Sequence, residues 1–133
     1  MDLQTRALMV ISAAFMGLLG LGASFLPQEG LTLVGYPTKG LAVVFVQVTG
    51  ALFLGFAFLN WMARGTLIGG IYSRPVAMGN FMHFAVATIV LVKALSAEAA
   101  PAFMAATLIY AVLALWFGAV IFTHPLKRGE QGS

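Results

Sequence analysis

The chain has 133 residues, one domain's length, yet 61% are hydrophobic and only 8% charged, where about a quarter charged is usual for a soluble domain. With a mean hydropathy of +0.99, a water-soluble monomer is excluded, and the absence of cysteine removes disulfides, thiolate catalysis and cysteine-ligated metal centres together. The net charge of +3 comes from basic residues scattered between apolar runs, which implies an anionic membrane surface as partner and not a nucleic acid.

A bilayer core about 30 Å thick is crossed by about 20 apolar residues at about 1.5 Å each, because backbone polar groups in lipid must bond within their own helix. Four runs reach that length: Ala7–Leu26, Leu41–Met62, Val76–Leu95 and Pro101–Phe122. They predict an all-α integral membrane four-helix bundle, up-down-up-down, forming a single domain over 1–133. The first run is read as a span and not as a secretory leader, since Asp2 stands where a leader is basic and the run is long for an h-region. Within it Ala13, Gly17, Gly20 and Ser24 recur at intervals that suit close helix packing. The connection that follows, with Leu31, Leu33, Val34 and Tyr36, is unusually apolar and is expected to lie in the membrane interface.

In the second span Gln47, Gly50, Ala51, Leu54, Phe58 and Trp61 share a face, taken as the inward one, and Asn60 points the opposite way. The order of features here, Gly50-Ala-Leu-Phe-Leu-Gly55-Phe, then the Arg-bearing link Ala63-Arg64-Gly65, then an aliphatic third helix, resembles that of the DoxX-like small bacterial four-helix membrane proteins. The resemblance covers about a third of the chain. It implies a four-helix architecture and a bacterial inner-membrane location, and it carries no catalytic residue to any position. The second connection holds Arg64 and Arg74 around Gly69 and Gly70; these arginines are candidates for phospholipid headgroup contact beside the start of the third helix.

The third span places Gly79, Asn80, His83, Ala87 and Ala94 on one stripe. An ionisable or amide side chain within a span is costly unless paired or functional, so His83 and Asn80 are candidate ligand-binding residues, expected to share a small polar pocket. Met9, Met16, Met62, Met78 and Met82 fall at similar depth. Methionine with histidine suits Cu(I), but methionine also fills gaps between helices, and no metal site is assigned. The link Ser96 to Ala100 is short enough for a tight hairpin. In the fourth span Tyr110 sits near mid-bilayer, where a phenol needs a partner; His83 is one at suitable depth. Thr107, Ala111, Ala114 and Gly118 repeat the small-residue spacing of the first span. His124 lies beyond the membrane boundary, so the two histidines do not face one haem.

The carboxylates, Asp2, Glu29, Glu98 and Glu130, all fall in connections or termini, leaving no acid pair or triad acid in a span. Arg6, Arg64, Arg74, Lys127 and Arg128 lie on one side of the four-span arrangement and Lys39 and Lys93 on the other, which places both termini in the cytoplasm. The functional expectation is a membrane protein without a recognisable catalytic site that binds a hydrophobic small molecule or lipid, or serves as an accessory subunit. Candidate ligand-binding residues are His83, Asn80, Tyr110 and Gln47. A small transporter or pore, and a quinone-linked or other redox component, are the alternatives. Membrane lipid, a hydrophobic molecule and a second copy of the chain are the expected partners, with no cofactor assigned.

Overall fold

The computed structural model describes residues 3–65 and 74–123, and all regular structure among them is helical. Helix α1 spans Leu3–Phe25, α2 Pro27–Leu33, α3 Leu41–Ala63, α4 Arg74–Ala94 and α5 Pro101–Thr123. Four of the five are long and apolar enough to cross a membrane. Gly69, Gly70, His124, Lys127 and Arg128, singled out in the sequence, lie outside the described residues.

The helix ends follow from local chemistry. Pro27 opens α2 and Pro101 opens α5, where a missing N–H costs nothing and the ring presets φ. Gly40, at φ +77°, precedes α3 in a conformation that a side chain would disfavour. Helix α1 starts several residues before the apolar run does, since Gln4, Thr5 and Arg6 are compatible with a helix although not with lipid. The apolar first connection is itself partly helical. Leu31 of α2 is buried, whereas Leu33, Val34 and Tyr36 remain exposed, so the segment that reads as interfacial is a one-sided short helix packed on α1 and α3. Ala99 N–H donates to the Ser96 carbonyl at 3.1 Å, closing the tight turn between α4 and α5.

Helix α1 packs chiefly on α3, and α4 chiefly on α5. Successive contacts run in opposite sequence order: Ser24 and Gly20 meet Gly50, Gly17 meets Ala57 and Ser12 meets Asn60. Likewise Gly118 meets Phe81, and Phe84 meets Phe117 and Tyr110. The small-residue seam of α1 therefore faces α3, and that of α5 faces α4 and the core. The two pairs join through Leu8, Met9 and Met16 of α1, Phe84 of α4 and Leu113 and Phe117 of α5. Outside this core large apolar side chains such as Leu18, Leu52 and Leu115 are turned outward, as a bilayer environment requires.

Close approach is concentrated at one point of the α1–α3 seam. A Cβ on Gly20 would lie 2.9 Å from the Leu54 backbone nitrogen and 3.0 Å from the Gly50 carbonyl oxygen, while one on Gly17 would rest 3.7 Å from Ala57 Cβ. The first is a collision with backbone and the second an ordinary contact. Gly17→Ala is accordingly expected to leave thermal stability unchanged or higher, because it adds helix propensity at a site with room. A melting temperature in detergent lowered as far as that of Gly20→Ala would show that the seam is uniformly tight.

The inward face of α3 keeps Gly50 and Leu54, which meet α1, and otherwise differs from expectation. Ala51, Phe58 and Trp61 are exposed and Gln47 is too, whereas Asn60 is fully buried. Since α3 is apolar all round, hydrophobic periodicity carries almost no information about its orientation. The cost of an unpaired amide in lipid decides it, and turns Asn60 inward.

Candidate functional site

Two separate polar arrangements occupy the interior. The first joins α1, α3 and α4 at the level of Asn60. Asn60 Nδ2 donates to Asn80 Oδ1 at 2.7 Å and to Ser12 Oγ at 3.0 Å, and Asn80 Nδ2 donates back to Asn60 Oδ1 at 2.6 Å and to the Val76 carbonyl at 2.8 Å. Ser12 Oγ donates in turn to the Met9 carbonyl at 3.1 Å. All three side chains are 0% exposed. Every amide N–H in this reciprocal pair has an acceptor, so the arrangement is a closed clamp, with no donor left for a ligand.

The second arrangement lies one helical turn further along α4. His83 Nε2 is 3.3 Å from Tyr110 Oη; Oη donates when Nε2 is bare and accepts when Nε2 carries the proton. The imidazole stacks on Phe56, with ring centroids 5.2 Å apart and planes 29° apart, and meets Phe53 and Phe84 edge-on at 5.6 and 5.0 Å. Phe15 of α1 packs edge-on against the Tyr110 ring at 5.7 Å. All four long helices thus contribute a ring to one cluster. Tyr110 is buried and His83 half-buried. Among the described residues nothing hydrogen-bonds to Nδ1 of His83.

The sequence-derived candidates are therefore divided. His83 and Tyr110 come together. Asn80, three residues from His83, faces the Asn60 clamp instead of a pocket shared with His83, because a second amide offers it both an acceptor and a donor. Gln47 is exposed, its Nε2 donating to the Ser24 carbonyl at 3.3 Å near the opposite end of α3. Asn60, Ser12, Phe53 and Phe56 were missed. The available signal for Asn60 was its chemistry: two amides and a serine at matching depth in neighbouring spans can satisfy one another, whatever face a wheel assigns them. Met9 and Met16 belong to the packed core, and Met62 and Met82 face outward, so the methionines do not converge on His83. Among the described residues no three His, Asp or Glu side chains come together.

At the end of the bundle that bears the arginines, the Arg64 guanidinium covers the Trp61 ring at 4.0 Å and donates to the Trp61 carbonyl. Arg74 is exposed at the first position of α4. A cation stacked on an indole at a helix end is an arrangement suited to the headgroup layer. A shallow groove of about 520 Å³ runs along α3, lined by Val48, Ala51, Leu52, Gly55, Phe56 and Leu59. Phe56 thus lines the groove and also stacks on His83.

No family model, no curated protein and no solved structure matches the chain.

Proposed function

We propose that the protein binds a hydrophobic small molecule or lipid within a four-helix bundle of alternating direction, in a bacterial inner membrane with both termini cytoplasmic. The observation that carries this reading is the half-buried His83 ring, held at one nitrogen by Tyr110, flanked by Phe53, Phe56 and Phe84, and without a hydrogen-bond partner at Nδ1 among the described residues. An unsatisfied imidazole nitrogen inside a membrane span is costly, and a bound molecule with one polar atom offsets that cost. The transport reading needs Gln47, Asn80, His83 and Tyr110 as one inward polar set; their separation into three places favours binding. The DoxX-like resemblance and the basic-residue bias support the location and the orientation. Arg64 and Arg74 serve in this reading as headgroup contacts.

Extraction and mass spectrometry of the purified full chain should recover a lipophile in stoichiometric amount that is reduced when Phe56→Ala is purified in the same way. Recovery of bulk phospholipid alone, in equal amount from both, would overturn the binding reading. Orientation has its own test, because the bias of five basic residues to two predicts opposite sides for the first connection and the carboxyl end. Reporter fusions at Gly35 and Ser133 should respond oppositely, and like responses would remove the alternating topology.

A further inference from the structure

His83 is nine residues after Arg74 and ten before Lys93, the charged residues near either end of α4, so its ring lies about 14 and 15 Å along the axis from them. That is the middle of the span. A phosphate or other charged headgroup placed there would carry an uncompensated charge into the hydrocarbon, and the described spans offer no acid or base beside His83 to pair it. The polar end of a ligand at this site is therefore neutral.

The surrounding geometry adds a shape. Phe56 lies nearly parallel to the imidazole and Phe53 nearly perpendicular, which are the two arrangements by which flat rings pack on one another. The groove along α3 includes the same Phe56 among its lining residues, all of them apolar. From Val48 to Leu59 it follows eleven residues of helix, about 16 Å, enough to seat an alkyl or isoprenoid tail against the bilayer.

The imidazole and the phenol also make the site indifferent to whether the ligand oxygen donates or accepts. With Tyr110 Oη donating to Nε2, the ring proton sits on Nδ1, and that N–H can donate a hydrogen bond to a carbonyl oxygen. With Nε2–H donating to Oη, Nδ1 is bare and can accept a hydrogen bond from a hydroxyl. One tautomeric change, without net charge, serves both.

We propose that this site takes a neutral flat ring bearing a carbonyl or hydroxyl oxygen, its apolar tail lying in the α3 groove; tailed phenols and tailed quinones are the two sources of that chemistry. The inference rests on the hydrophobic-ligand reading above and narrows it. It is tested on the full chain in phosphatidylcholine nanodiscs with a diazirine-bearing decylphenol as photolabel, and with 4-decylphenol, decylubiquinone and 1-decanol as competitors. Saturable labelling of peptides from α3 and α4 is expected, suppressed by the phenol or the quinone and not by decanol, the stronger of the two ring compounds identifying the source. His83→Phe should raise the half-suppressing concentration about tenfold, the loss of one desolvated hydrogen bond to the ligand, and Tyr110→Phe should raise it by less, since it removes only the phenol that holds Nε2 and so positions the ring. Tyr110→Phe retains the aromatic packing, so it carries the test should the histidine variant fail to fold. Suppression by decanol equal to that by the ring compounds, with both variants unchanged, would overturn the ring inference and leave the hydrophobic-ligand reading standing. Absence of saturable labelling, together with no co-purifying lipophile, would overturn both.

Discussion

Gly50→Leu is expected to abolish the native pairing of α1 with α3, and Gly50→Ala alone to lower stability by about 1–3 kcal/mol, the range for overpacking a closed contact. A Cβ at this position would stand 2.5 Å from Ser24 Oγ, 2.7 Å from the Ser24 backbone nitrogen and 2.9 Å from Ala23 Cβ. A rotamer change can move the hydroxyl but not the nitrogen, so the helices themselves would have to separate. Separation is costly because α1 and α3 gain little from the hydrophobic effect in lipid and associate through contact of this kind. Gly20 is the reciprocal position, close to Leu54 and the Gly50 carbonyl, and Gly20→Leu should behave in the same way. Thermal melting followed by circular dichroism in one detergent, with size-exclusion profiles, decides the matter. A parent-like melting temperature for Gly50→Ala would mean that the helices are not in contact there.

The second large effect is expected at Asn60. Asn60→Leu removes a donor from Asn80 Oδ1 and from Ser12 Oγ, and leaves the Asn80 amide with only the Val76 carbonyl. Leaving a buried polar group unsatisfied costs about 1–3 kcal/mol, and Asn80 is fully buried. Asn60→Leu combined with Asn80→Leu should cost less than the sum of the two single changes, since the second substitution removes the group that the first one orphaned. The cycle can be measured by equilibrium unfolding in mixed micelles. Additive effects would show that the two amides do not pair. Asn60→Asp is the more severe change, because it replaces a donor facing two oxygens with another oxygen and buries a carboxylate.

These residues also mark where the sequence was informative. The four spans, their ends at proline and glycine, the hairpin at Ser96 to Ala100 and the apolar character of the segment around Leu31 are all legible, since they depend on length, hydropathy and backbone chemistry that each segment carries by itself. The small-residue seams of the first and last spans are legible as packing surfaces for the same reason, although not which helix each would meet. The proximity of His83 and Tyr110 was accessible from depth and from the need of a phenol for a partner.

The rotation of α3 was not legible. In water, a helix shows its buried face by contrast between apolar and polar residues; here lipid and protein interior are equally apolar, and the contrast vanishes. A reading based on the Gln47 stripe therefore turned Asn60 outward. Only the juxtaposition of three helices decides that Ser12, Asn60 and Asn80 close on one another, that Asn80 is withdrawn from His83, and that Phe53 and Phe56 wall the imidazole. Composition and hydropathy determined that this chain resides in a membrane as four apolar helices. Which polar groups consume one another, and which nitrogen has no partner among the described residues, depends on interhelical distances that no single segment encodes.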